Sequence, residues 1–203
     1  MRILSKINRG VILTVVVLVG VAGYLIGLEA MHGSARKEIQ QICEKYVAAE
    51  LQYYMLPEAY RVEKPQIPEQ ELERYMTAMR DELKGFFVDN EQTYRYKLKE
   101  LEENLTAQSK GEGVVYEYKK EIVKYEIAFD GNTASVTLTS ATTYDGPVSS
   151  YSYSSKTGVS SRQTLTGEVT DRLSFQRVDG EWKLTYAALY LPDADSIHVS
   201  YGY

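Results

Sequence analysis

Few side chains in this 203-residue chain have the type and spacing for chemistry. There is one cysteine, Cys43, and it lies on an apolar helical stripe with no histidine near it in sequence. A reactive thiol needs an electropositive, accessible setting, so a buried structural thiol is expected. The two histidines, His32 and His198, lie towards opposite ends of the chain, and one cysteine excludes a disulfide framework or a cysteine-rich zinc site. No phosphate-cradling glycine loop, HExxH or GxSxG occurs. Neither catalytic residues nor a metal or cofactor site is therefore expected. Glu117, Glu121 and Glu126 interleave with Lys119, Lys120 and Lys124, which reads as a solvated strand face with cross-strand charge pairing. Asp171 beside Arg172 reads as exposed polar alternation.

Tyrosine is the outlier, at 18 residues against one tryptophan and four phenylalanines. It buries apolar area while keeping a hydroxyl for water or a partner. Tyr116, Tyr118, Tyr125 and Tyr186 are expected to pack against a sheet. Tyr151 and Tyr153 stand in a serine-rich, charge-poor stretch, and Tyr201 and Tyr203 end the chain. These four are the candidate partner surface.

The elements that would position these residues begin with Val11 to Leu28, an uncharged run of 18 residues. At helical rise it spans roughly 27 Å, close to a hydrocarbon core of about 30 Å. Arg2, Lys6 and Arg9 precede it without an acid, which would keep the N-terminus cytoplasmic and the remainder outside. The rival reading is a cleaved signal peptide with a small-residue site at Gly33-Ser34-Ala35. Gly23 and Gly27 stand at GxxxG spacing, which would permit self-association, although glycine is common in membrane helices generally. Three of the 23 basic residues and none of the 28 acids fall in the first 28 positions, so the rest carries a formal charge of −8 against −5 overall. Such a body is repelled by an anionic bilayer and argues against a nucleic-acid partner. The expected layout is a basic segment at 1–10, an anchor at 11–30, an extracytoplasmic domain at 34–191 and a tail at 192–203. The location is a single-pass cell-membrane protein meeting an envelope or membrane protein partner, with the bilayer contacted through 11–28.

The spacing of Ile39, Ile42, Cys43, Tyr46, Val47, Glu50 and Tyr54 predicts an amphipathic helix whose stripe is apolar except at Glu50. Leu72, Tyr75, Met76, Met79, Leu83 and Phe86 mark a second helix opened by Pro68. Tyr94, Leu98, Leu101 and Leu105 mark a third. From Val114 the period turns towards two, with a parity shift between Ile122 and Tyr125 that predicts a bulge. Asp130-Gly131-Asn132 and Asp179-Gly180 predict tight turns. Asp145-Gly146-Pro147 predicts a turn or an edge disruption. Residues 149–161 read as a flexible loop or as two strand arms meeting at Lys156-Thr157-Gly158, with the tyrosine–serine alternation favouring arms. Trp182, Leu184 and Tyr186 are expected to share a face. The fold class is α+β, with about three helices on a bent four-stranded antiparallel sheet.

The stretch from Glu168 to Val178, followed by Asp179-Gly180-Glu181-Trp182-Lys183-Leu184, resembles the closing hairpin of nuclear transport factor two-like (cystatin-like) domains. The resemblance extends in element order over Ser34 to Leu191 and implies a cone-like fold with a pocket. Three consecutive leading helices depart from the commonest order, where a short strand interrupts them. They resemble the single-anchor scaffold subunits of type IV secretion and conjugation systems. Some enzymes of the superfamily place an aspartate base and a tyrosine donor in the pocket, and Tyr116, Tyr144, Asp171 and Tyr186 are of the right types. Two functions are therefore weighed: a non-catalytic interaction or scaffold module, and a small-molecule binder or enzyme using the interior of the cone.

Overall fold

A computed structural model describes residues 9–89, 92–151 and 158–192. Within 11–31 only Val17 and Val19 have described side chains, and those of 149–151 and 158–161 lie outside the description. The chain divides into two compact units, Met1–Ile39 and Gln40–Tyr203. Helix α1 is Arg9–Tyr54 and includes residues of both units. In the first unit Val17 and Val19 are exposed. Among the described residues no helix is long and apolar enough to cross a membrane, and most side chains of 11–28 fall outside them.

The second unit continues with a 3-10 turn at Glu58–Tyr60, helix α2 at Glu69–Lys84, helix α3 at Gln92–Ser109, and strands β1 (Glu117–Asp130), β2 (Thr133–Tyr151), β3 (Gly158–Val178) and β4 (Glu181–Ala188). Pro68 caps α2 from an extended conformation, and Glu69 and Glu71 follow at the positive end of its dipole. Gln108 and Asn104 of α3 both donate to Tyr54 O at 2.8 Å, satisfying a carbonyl at the end of α1. The Gln108 oxygen accepts from Val115 N at 3.0 Å and so ties the same point to the entry of β1.

The four strands form an antiparallel meander in sequence order. One face is covered and its residues are buried, among them Tyr118, Val136, Leu138, Tyr144, Leu165, Leu173, Phe175 and Leu184. The expected bulge lies between Ile122 and Lys124, and Val123 is extruded into solvent. Both predicted tight turns form, with positive φ at Gly131 and at Asp179-Gly180. Pro147 makes no turn. Strand β1 begins at Glu117, opposite Asp145, so from Gly146 onward β2 is unpaired on that side among the described strands, and a residue without an N–H is tolerated. The serine-rich segment forms strand arms paired through Tyr151 and Gly158, while residues 152–157, including Tyr153, lie outside the described residues.

A second register shift falsifies one expectation. Phe175 pairs with Leu184 but Ser174 pairs with Tyr186, which leaves Thr185 as an extra residue. Beyond it the parity inverts: Ala187 turns inward and Tyr186 is 44% exposed. The helices are also less consecutive than the sequence suggests. Between α2 and α3, Phe87 forms a parallel bridge to Leu184, with Val88 N donating to Leu184 O at 3.0 Å and Leu184 N to Phe86 O at 2.8 Å.

Candidate functional site

The sheet's covered face is apolar at one end, carries polar side chains in its middle rows, and closes on the Tyr118–Tyr144–Leu165 row at the other. In pairing order, Lys120, Thr142 and Gly167 form one row across β1, β2 and β3, and Asp171 pairs with Leu138 two rows on. The side chains of Lys120 and Asp171 are completely covered. Lys120 Nζ donates to Asp171 Oδ1 at 2.8 Å and to Oδ2 at 2.9 Å. Ser140 Oγ, also buried, donates to Oδ2 at 3.2 Å, and the Tyr190 main-chain N–H donates to Oδ1 at 2.8 Å. Four donations fill the lone-pair sites of a carboxylate. The third direction from Lys120 is taken by Tyr190 O, at 2.8 Å. Burial pulls the Lys120 pKa below its ordinary value, against the opposing pull of Asp171.

A second pair lies between the helices. Glu50 of α1 is 3% exposed, and its Oε1 accepts from Lys97 Nζ of α3 at 3.0 Å. Lys97 also donates to Glu100 at 2.9 Å. Glu50 Oε2 and the Tyr46 hydroxyl, one helical turn apart, are both buried and face each other, with no well-formed hydrogen bond to any further group. Burial raises the Glu50 pKa, partly offset by Lys97, and raises that of Tyr46 well above a normal phenol. For Lys97, burial works against the charge, and Glu50 and Glu100 outweigh it to raise the pKa.

Three tyrosines run between the pairs. The Tyr54 and Tyr118 ring centroids are 5.1 Å apart at 70°, and those of Tyr118 and Tyr144 are 5.6 Å apart at 86°, both edge-to-face. Tyr144 folds over Gly146, where an added Cβ would stand 2.7 Å from the phenol oxygen, and its hydroxyl donates to Pro147 O at 3.1 Å. Burial raises the Tyr118 pKa, with further contributions from Glu50 and Asp171. One phenol thus feels both carboxylates.

Of the four residues proposed for the pocket, the structure brings Tyr144 and Asp171 to the same buried face. It leaves Tyr116 half-buried at the entry to β1, beneath Arg162, whose guanidinium carbon is 3.6 Å from the ring centroid. Arg162 forks onto both oxygens of Asp145, at 2.8 and 2.6 Å. Tyr186 faces solvent. The reading of Asp171 as exposed alternation is corrected, because it shares parity with Val169, Leu173 and Phe175. Lys120 is likewise no part of a solvated face, since its parity is that of Tyr118. Lys120, Tyr118, Glu50 and Lys97 were not singled out as site residues. Of the candidate partner surface, Tyr153, Tyr201 and Tyr203 lie outside the described residues, as does the side chain of Tyr151. Cys43 is fully buried, and burial pushes its thiol up to about 12, which makes it a packing residue.

An open groove of about 860 Å³ lies over the row containing Gly167, walled by Ala48, Leu51 and Gln52 of α1 and by Met55 just after it. Among the described residues no cluster of three or more potential ligands is placed to hold a metal ion.

No protein-family model matches the chain, and no curated protein matches it. Solved structures similar to it include the following two. One is the intermembrane space region of the chloroplast protein ARC6, at 12% identity and a TM-score of 0.44, covering 75% of this chain and 93% of that one. The other is a putative dehydratase from the NTF2-like family from Streptomyces avermitilis, at 11% identity and a TM-score of 0.41, covering 76% and 94%. At these scores neither likeness carries a functional residue across.

Proposed function

We propose that the chain is a membrane-tethered, extracytoplasmic interaction or scaffold module without catalytic activity. The observation that carries this reading is the saturation of Asp171. A general base must have a free lone pair within reach of a substrate proton. Asp171 accepts from Lys120 twice, from Ser140 and from Tyr190 N, all within its own chain. The phenol nearest to it in role, Tyr144, is 1% exposed and committed to Pro147 O. An interior filled by the chain's own aromatics suits a body that works through its surface. The tether is residues 11–28, the domain 34–191, and the surface offered to an envelope protein includes Tyr151, Tyr153, Tyr201 and Tyr203.

Crosslinking in intact cells tests the reading: a discrete protein partner is expected, and a chain that captures none while turning over a small molecule contradicts it. Alkaline carbonate washing tests the tether. The full-length chain stays with the membrane, whereas a soluble form beginning near Arg36 would be the product of a signal peptidase. The rival, a small-molecule binder, is supported by the groove over Gly167, whose volume falls within the usual range for ligand sites.

A further inference from the structure

After β4 ends at Ala188, residues 189–192 cross the covered face of the sheet. They are held there by the main chain of one residue and by one ring. Tyr190 N donates to Asp171 Oδ1 at 2.8 Å, and Tyr190 O accepts from Lys120 Nζ at 2.8 Å, with the Tyr118 hydroxyl 3.5 Å from the same oxygen. The Tyr190 side chain is 45% exposed and its hydroxyl meets Tyr186 of β4 rather than Lys120 or Asp171. The bonds to Lys120 and Asp171 therefore read main chain alone. Two positions later Pro192 is buried, its Cβ 3.7 Å from where a Cβ on Gly167 would stand. The ring thus lies directly over Gly167, at ordinary van der Waals range of that position.

This arrangement is a receptor for extended chain: an acceptor and a donor for the N–H and C=O of one residue, then a shelf two residues on. Two charge-assisted hydrogen bonds and a single ring are a modest hold beside the continuous ladder that β2 and β3 share. Exchange of one peptide for another leaves Lys120 and Asp171 paired and satisfied, so it avoids the penalty of an orphaned buried charge. The groove begins at the same row, Lys120–Thr142–Gly167, and gives an incoming segment room to continue along α1.

We infer that this seat is a docking site for an extended segment of a partner protein, which displaces residues 189–192 and places a proline or similarly compact apolar residue on Gly167. The inference rests on the interaction-module reading and names the site and partner class for it. The probe is a labelled, end-capped peptide of residues 188–193, followed by fluorescence anisotropy against the full chain in detergent micelles and against a chain ended after Ala188. The shortened chain should bind it about tenfold more tightly or better, because the competing segment is gone. N-methylation of the Tyr190 nitrogen in the peptide removes the N–H that Asp171 accepts and should weaken binding about tenfold or more. Tyr190→Ala in the peptide removes only the side-chain contact with Tyr186 and should weaken binding less than N-methylation does. Equal binding of the N-methylated peptide, or no binding to a folded shortened chain, overturns the inference. If the shortened chain does not fold, hydrogen exchange at the Tyr190 amide of the full chain replaces it: excess peptide should accelerate exchange, and an unchanged rate overturns the proposal. A cellular partner whose crosslinks map away from Lys120, Asp171 and Gly167 overturns this seat and leaves the interaction-module reading intact.

Discussion

The two buried lysine–carboxylate pairs have the same chemistry and opposite bookkeeping of hydrogen bonds. Lys120–Asp171 sits within the sheet and is closed: the carboxylate accepts four donations, and the ammonium reaches a main-chain oxygen besides. Lys97–Glu50 sits between helices and is more open: one carboxylate oxygen faces only the Tyr46 phenol, and Lys97 shares itself with the exposed Glu100. A buried ion pair adds little net stability, yet breaking one is costly when the survivor has nowhere to turn. The closed pair holds a segment of chain in place, whereas the open pair retains an alternative partner.

The largest effect expected from this contrast is at Asp171. Asp171→Ala strands Lys120 in a covered site and should cost about 3–5 kcal/mol in urea unfolding. Replacing both partners, Lys120→Met with Asp171→Leu, should recover most of that loss while freeing residues 189–192. A double variant as unstable as the single one would show that the pair contributes more than mutual neutralisation. Next comes the aromatic bridge between the pairs. Gly146→Ala puts a methyl 2.7 Å from the Tyr144 hydroxyl, and the ring, 1% exposed, has little room to yield. A loss of about 1–3 kcal/mol is expected from overpacking, and a neutral result would mean that the bridge is loose.

Glu50→Gln should cost at most about 2 kcal/mol, well short of the Asp171 effect, because Lys97 keeps Glu100. Its pH dependence sharpens the point. Burial raises the folded-state pKa of Glu50 above its ordinary 4.5, so the folded chain binds more protons than the unfolded one between the two values. The contribution of Glu50 is therefore fully present below about 4.5 and is lost as pH rises through the raised value. Wild-type stability should fall relative to Glu50→Gln across that window, and parallel curves would contradict it. The smallest effect is at the surface. Lys124 and Glu126 are joined by a 2.6 Å contact with both side chains over 60% exposed, and Lys124→Ala should leave the unfolding midpoint unchanged.

Periodicity carried most of the fold: three helices, four strands, the Ile122–Lys124 bulge and both tight turns follow from spacing and turn chemistry. It failed at Thr185, because one inserted residue leaves the apolar pattern Trp182-x-Leu184-x-Tyr186 intact while the backbone turns it over. The parallel bridge at Phe87 is equally silent, since a single bridged residue has no period. The polar centre had a signal that went unused. Lys120 shares the parity of Tyr118 and Ile122, Asp171 shares that of Val169 and Leu173, and Glu50 lies in an apolar stripe. Each is a charge on a buried face. What spacing could not supply is which of them meet, because Lys120 and Asp171 are 51 positions apart and are joined through pairing with β2.

The central claim is that the polar interior is closed by the chain's own residues 189–192, and hydrogen exchange at the Tyr190 amide tests it most directly. The account predicts slow exchange in the full chain, clearly below that of an open peptide, and a marked acceleration in Asp171→Asn. Exchange at the free-peptide rate in the unaltered chain would contradict it.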